Sequence, residues 1–379
     1  MSENPRKKPE SYAPKKRPDI IEIVEDINKA LEEDSEKVLT GIPHMGYGNP
    51  SAVCYIGSVM RLMDYLGDPI EADEVFALSG AGLCYPWKAG LPCDEISVLP
   101  DIPRRTFKAL GYESEYFYEP DISKVTRATQ TYSKEFYIDK IKNSIDAGRP
   151  VLGFGFTTLF FTCLITGYYN GGEGLYLRAY WSPKGTPEGY DKEKYYHTEE
   201  WYEKCHGIVV IGEKTGERLA GEMAYEHIKE SARIFKEVNT VTQGNQTINQ
   251  GAAAFDDMAA WLLDDGNWEN VKDWGFVDLL LKPCGILLLN HYRWQLACYL
   301  ERLSERFPGL VNSKIRPAIV HLCENVPGAH KSQLWLNECV DPAITEISAL
   351  CDRSLREKVA AYVLRLKEMD AEIFAAILK

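Results

Sequence analysis

Ser51–Gly67, SAVCYIGSVMRLMDYLG, decides how the chain is read. The stretch predicts a helix. Asn49-Pro50-Ser51 supplies a start signal, since proline is tolerated in a first turn and Asn49 or Ser51 offers an oxygen to an unpaired backbone N–H. Gly67 is the expected stop. Val53, Tyr55, Ile56, Val59, Met60, Leu62, Met63 and Leu66 make the segment apolar nearly all round, broken by Ser58, Arg61 and Asp64. A helix of that composition belongs inside a domain. In its first turn stands Cys54. A thiol at the N-terminal end of a buried helix is an arrangement suited to a nucleophile. The helix field contributes roughly 0.3–1 kcal/mol, so it lowers a thiol pKa of about 8.5 by less than one unit. An activated Cys54 therefore needs a neighbouring His or Arg; otherwise it is a small core hydrophobe.

On the N-terminal side, Asp19–Val38 has helical periodicity through Ile20, Ile23, Ile27 and Leu31. The loop 40–50, TGIPHMGYGNP, then leads to Cys54 and carries His44, a candidate base. On the C-terminal side, helices are expected over Pro69–Leu78, Pro103–Leu110 and Tyr137–Ala147. SGAGLCYPWKAGLPC, residues 79–93, lacks the GK[ST] ending of a phosphate loop. Its Tyr85 and Trp87 are candidate pocket walls. Strands are expected at Glu113–Tyr118, at Arg149–Phe156, on both sides of Asn170-Gly171-Gly172, and at Gly207–Gly212. A helix first and antiparallel strands after it is an α+β order. From Gly216 onward the pattern is helical, through 218–238, 249–264, 277–307, 311–326, 333–350 and 354–378.

The chain has 379 residues and a formal net charge of −13. Its first 18 residues hold six Lys/Arg against two Glu and read as a mobile basic leader. That leaves 37 basic and 54 acidic residues, a charge of −17, for the rest. Such a body disfavours nucleic acid and anionic membranes. No apolar run approaches a membrane span, and no export signal is read at the N-terminus. Ten scattered cysteines without CxxC pairs then predict reduced thiols and a cytoplasmic location.

Three stretches together resemble the butirosin biosynthesis protein H N-terminal-like family, related to C39-type papain-like peptidases. They are the Cys54 helix with its lead-in, SGAGLCYPW, and RPVLGFGFTTLFFTCLITGYYNGGEGLYLRAYW. The later AYEHIKE and NQGAAAFDDMAAWLLDD resemble the helical region that accompanies that domain, so the resemblance spans roughly residues 40–270. It implies a papain-like α+β domain over 19–214, followed by an all-α helical domain over 215–379. It also implies a Cys54-dependent acyltransferase, moving an acyl group from a carrier thioester to an amine, or an amide or thioester hydrolase. The sequence departs from the peptidase pattern in two places. Cys163 stands where the strand before "GY" would carry the catalytic His, and Arg178 and Tyr180 stand where a carboxylate would follow. A thiol is a poor base, because only His titrates near neutrality unperturbed. His206 and His44 are the alternative bases.

On the aligned strand Cys163 is placed to face Cys54 across a cleft and, with Tyr85, Trp87, Tyr180 and His291, to line the substrate site. His291 and Gln295, four apart on a helix, share a face that points to an interdomain pocket. Asp256-Asp257 and Asp264-Asp265 frame Trp261 and would suit a cationic amine. His321, Cys323, His330 and Cys339 fit no zinc spacing, and no metal or cofactor is expected. The expected partners are a small-molecule or peptide substrate, with an acyl carrier protein and a second copy of the chain as candidates. The competing reading is a catalytically inactive papain-like module that holds a peptide or small amine in the same cleft.

Overall fold

The predicted central helix forms and begins at the candidate nucleophile itself. The computed structural model describes residues 35–46, 50–51, 53–87, 101–118, 132–157, 161–184, 191, 193–237, 240–243, 246–269, 284–325 and 350–379. Helix α1 is Cys54–Tyr65, three residues shorter at its start than 51–67 implied. The Ser51 hydroxyl accepts from Val53 N–H at 3.2 Å, so it caps the lead-in rather than the helix. Gly67, at φ 75°, is the stop. Tyr55, Ile56, Val59, Leu62 and Met63 have no exposure at all. Each such side chain contributes roughly 1.5–3 kcal/mol of burial, which is why an all-apolar helix must sit inside.

The chain is a mixed α+β protein whose main sheet is antiparallel. Seven strands compose that sheet: β1 (Lys37–Val38), β3 (Tyr112–Tyr118), β4 (Val151–Phe154), β5 (Thr162–Tyr169), β6 (Gly174–Arg178), β7 (Tyr196–Thr198) and β8 (Gly207–Lys214). The order is β3-β8-β4-β5-β6-β7, with β1 pairing β5 beyond the end of β4. Helix α1 packs on β5, and α4 (Lys134–Asp146) packs against β4, β5 and β8. The Ser133 hydroxyl accepts from Phe136 N–H and starts α4 three residues earlier than read. Residues 1–34, including the basic leader, lie outside the described residues. Lys37–Val38 is a strand, not the end of the helix read over 19–38: once a sheet edge is at hand, pairing with Gly167 and Tyr168 overrides local helical propensity.

Among the described residues, the region after Gly216 is mainly helical, with a hairpin as the exception. Its helices are α5 (Gly221–Glu237), α6 (Ala252–Leu263), α7 (Cys284–Arg306), α8 (Ile315–Asn325) and α9 (Arg353–Ile377). The all-α expectation is corrected by a hairpin, β9 (Thr240–Gln243) and β10 (Gln246–Gln250). Strand β10 pairs with β2 (Pro86–Trp87), so a small second sheet bridges the boundary read at 214–216. The helix read from Asn249 starts only at Ala252 for this reason. Of the helix read over 333–350, residues 333–349 lie outside the described residues.

The same seam is closed by charge. Helix α2 (Ala72–Ser79) packs on α7, and a tight turn at Ala81–Leu83 follows it. Arg293 of α7, fully buried, makes bonds of 2.6 and 2.9 Å to the Asp370 carboxylate of α9. It also donates to the carbonyls of Gly82 and Cys84, at 2.6 and 3.2 Å. A single guanidinium thus joins the Gly-rich segment to two helices of the C-terminal half. Among the described residues no helix is long and apolar enough to cross a membrane.

Candidate active site at the start of the central helix

Cys54 opens α1 with 3% of its surface exposed. Val53 precedes it in extended conformation and provides no side-chain cap. The stripe Cys54, Gly57, Ser58, Arg61 runs down one face of the helix. Each member is covered by an identifiable group. The Tyr180 hydroxyl lies against Gly57 so closely that a Cβ there would stand 1.9 Å from it. That hydroxyl donates to the Ser51 carbonyl at 2.8 Å, bracing the turn that leads into Cys54. Ser58 donates to the Met45 sulfur at 3.9 Å, which holds the His44–Met45 loop on the same stripe. Arg61 pairs with Asp64 at 3.1 Å. Burial, and then the nearby Cys54, push the Tyr180 phenol up, so it stays a neutral donor.

His44 is half-buried, and its pKa is lowered, first by burial and then by the charges of Lys194, Arg178 and Arg61. It is therefore neutral at neutral pH and able to accept a proton. Arg178 shapes this loop. Its Nε donates to the Ile42 carbonyl at 2.9 Å, two residues before His44, and its Nη1 donates to the carbonyls of Glu193 (2.9 Å) and Lys194. The Tyr195 ring stacks on its guanidinium at 3.5 Å, and the Tyr195 hydroxyl donates to the Leu39 carbonyl. The strap 193–198 and the loop 39–46 are thereby tied together beside Cys54.

His206 reaches the same end of the sheet by another route. Its N–H donates to Phe154 O at 2.8 Å where β4 ends, and Phe154 also pairs with Thr162 where β5 begins. Tyr180 lies two residues past Arg178, the partner of Leu164, so it too stands at that end. The His206 imidazole lies over Gly155, whose Cβ would come within 2.3 Å of Cδ2.

Cys163 goes elsewhere, and the expectation that it faces Cys54 is corrected. Side chains alternate across a strand. Leu164 and its partner Arg178 belong to the face that carries Cys54 and Tyr180, so Cys163 points to the opposite face. There its cross-strand partner Gly153 lies against Phe156 and Ile165. Burial and the neighbouring Cys205 push the Cys163 thiol far up, and Tyr137 of α4 bonds to Cys205. Both thiols are core residues kept protonated by a dry environment.

Tyr85 and Trp87 sit at the seam between the two sheets. Tyr85 packs on Phe255 with centroids 4.5 Å apart and donates to the Met258 sulfur, and Trp87 meets Trp261 at 5.9 Å. His291 meets Phe76 of α2 edge-on at 5.4 Å and is kept neutral by burial. It thus packs where α7 meets α2. The acidic pairs are engaged structurally: Asp256 with Lys367, Asp264 with Gly266 N–H, Asp265 with Arg353 and Arg356. His330 and Cys339 lie outside the described residues.

Arg61 and Lys194 had no motif around them in the sequence. Lys194 in particular carries no signal except a left-handed backbone at φ 65°, which only the fold reveals. No protein-family model and no curated protein matches the chain.

Proposed function

We propose that the protein is a Cys54-dependent enzyme of papain-like type, resembling the butirosin H N-terminal-like family, that transfers or hydrolyses an acyl group held as a thioester or amide. The observation that carries this reading is the first turn of α1. A buried thiol there shares one helix face with the Tyr180 hydroxyl, the Arg61 guanidinium and the loop that bears the neutral His44. In this mechanism His44 removes the Cys54 proton as Sγ attacks the acyl carbonyl. The tetrahedral intermediate collapses to an acyl-enzyme, and the leaving thiol or amine departs with the proton held on the imidazole. An amine or water then attacks the acyl-enzyme. It gives its proton to the neutral imidazole, which returns it to Sγ as the thiol leaves. His206, at the same end of the sheet, is the alternative base. Cytoplasmic thiol chemistry with a carrier-bound acyl donor is the reading that suits the free cysteines among the described residues.

The test is alkylation by iodoacetamide between pH 5 and 9, with each cysteine mapped by peptide mass. Exposed Cys351 serves as the solvent-thiol reference. Cys54 is expected to alkylate below pH 6.5, well under the ordinary thiol range near 8.5. His44→Asn should move its profile up by a unit or more; if His206→Asn does so instead, the base is His206. An inert Cys54 in the native protein sinks the enzyme reading. The alternative is then favoured, a binding module of the same fold. Cys54's near-complete burial and the thiol at 163 in place of a dyad histidine both support that alternative.

A further inference from the structure

Helices α7 and α8 leave a cavity of about 260 Å³ where the chain passes from one to the other. Its floor is apolar. Leu300 of α7 and Ile315 of α8, both almost completely covered, form it with half-buried Val311 beside them. Its rim is polar, with Glu301, Ser304 and Glu305 on the α7 side and Arg316 on the α8 side. None of these residues takes part in the Cys54 site. The local sequence fixes the shape. Gly309, at φ 84°, reverses the chain after α7. Asn312 then secures the far wall. Its side-chain amide donates to the Ala376 carbonyl of α9 at 2.7 Å, its Oδ1 accepts from Lys314 N–H at 3.0 Å, and its carbonyl accepts from Ile315 N–H at 3.1 Å. A wall tied to α9 in this way is formed before any ligand arrives, so binding does not bear the cost of ordering it.

Charge decides what the cavity can take. Arg316 joins α8 to α7 through Glu301 at 2.7 Å, so these two charges cancel. The other cations at this end of α7 are engaged elsewhere: Arg302 pairs with Asp73 of α2, and Arg306 lies over the Phe307 ring. Glu305 is exposed and makes no ion pair among the described residues. It stands one turn from Glu301, on the same face of the helix. The uncompensated charge of the lining is therefore a carboxylate's. An anionic ligand would face Glu305 and compete with Glu301 for Arg316. A wholly apolar ligand would leave the rim without a partner. A cation on a short hydrocarbon stem suits both parts, with the stem on Leu300 and Ile315 and the head at Glu305.

We propose that the cavity between the end of α7 and the start of α8 is a binding site for a small protonated alkylamine. Glu305 is its charged anchor, Leu300, Val311 and Ile315 are its apolar floor, and the Arg316–Glu301 pair limits its affinity by holding the second carboxylate. The site is made wholly by the C-terminal half and stands whether or not Cys54 is a nucleophile.

The test is calorimetry on the whole protein at low salt, with hexylammonium chloride as the probe and sodium hexanoate and ammonium chloride beside it. Hexylammonium should bind. Hexanoate has the same stem and the opposite charge, ammonium has the charge and no stem, and neither should bind comparably. Ser304→Leu places a side chain in the cavity and should abolish binding. Glu305→Gln should weaken it roughly two- to fivefold, the range of an exposed ion pair. Arg316→Gln should strengthen it by a similar factor, because it releases Glu301. Glu305 and Arg316 are both exposed, so these two variants keep the test decisive if Ser304→Leu fails to fold. Attraction to the acidic surface at large would survive Ser304→Leu, which removes no charge. The proposal is overturned by hexylammonium that does not bind, by hexanoate that binds as well, by binding that persists in folded Ser304→Leu, or by binding indifferent to Glu305→Gln and Arg316→Gln.

Discussion

Two buried arginines are held in this molecule by opposite means. Arg293 closes the seam between halves: both its Nε and Nη2 meet the Asp370 carboxylate, and Nη1 meets two carbonyls, so every nitrogen is used. Arg178, at the end of the sheet, is met by three carbonyls and an aromatic face and, among the described residues, by no carboxylate. A cation with its own counter-ion inside the fold is complete and has nothing to offer a ligand. Arg178 is instead oriented by backbone dipoles and by Tyr195. The pair shows that a buried guanidinium can be held either by a carboxylate or by backbone carbonyls and an aromatic face.

Removing the anion is the most severe way to break that contrast. Asp370→Ala would leave Arg293 charged in a dry seam, a condition that typically costs about 3–5 kcal/mol. The expected result is a large fall in the urea midpoint, accompanied by loosening of the Gly82–Cys84 segment that Arg293 holds. The double variant Arg293→Met/Asp370→Leu should recover most of the loss, since an apolar replacement of similar volume has no stranded charge. A single variant no less stable than wild type would mean that the pair is not the clamp described here.

A second change acts on the Arg178 side, where tight packing replaces charge. Gly57→Ala places a methyl 1.9 Å from the Tyr180 hydroxyl and 3.3 Å from Pro50. Exposed helix positions gain roughly 0.5–1 kcal/mol from this exchange, but here overpacking by about 1–3 kcal/mol should win. Net destabilisation of about 1–2 kcal/mol is expected, with the Tyr180 bond to the Ser51 carbonyl lost and the pH profile of Cys54 alkylation altered. Unchanged stability together with an unchanged Cys54 profile would show that Tyr180 does not brace the start of α1.

The contrast was only partly visible in the sequence. The apolar run 53–66 and the stop at Gly67 are strong local signals, and helix α1 follows them. The strands on both sides of Asn170–Gly172 are equally plain, because their turn demands positive φ at consecutive positions. Thr240–Gln250 was misread. Its Thr, Val and Ile are strand formers, but helical patterns on both sides outweigh them in a reading by periodicity. The strand at Lys37–Val38 had no local signal, since its pairing with β5 is entirely long-range. At the site, the sequence places Cys54 at the start of the central helix, and α1 begins there. The placing of Cys163 failed because a register argument of one residue decides which face a strand residue occupies. Arg178 was noticed only for not being a carboxylate, and Lys194 not at all: a guanidinium's partners are carbonyls distant in sequence, and carbonyls have no residue identity to read.

The mildest test uses a third guanidinium, intermediate between the two. Arg105 is held by the Ser231 hydroxyl and the His227 carbonyl and lies beside the His227 ring, which contacts Leu78 O at 2.9 Å. Burial, then Arg105, hold the His227 pKa down at about 4, with Lys108 adding to the effect and Glu230 opposing it. The unfolded chain takes up this proton near pH 6.5, the folded chain only near 4. Between those values the unfolded state binds more protons, so stability is lost as pH falls from 6.5 toward 4 and levels off below. Discounted for partial exposure, the effect is on the order of 1 kcal/mol. His227→Gln retains a nitrogen donor for Leu78 O and removes the titration. Its urea midpoint should therefore fall less than that of wild type between pH 7.5 and 4.5. Equal falls in the two proteins would mean that His227 protonates freely in the fold. Arg105 would then project too little field at the neighbouring imidazole to bias its protonation.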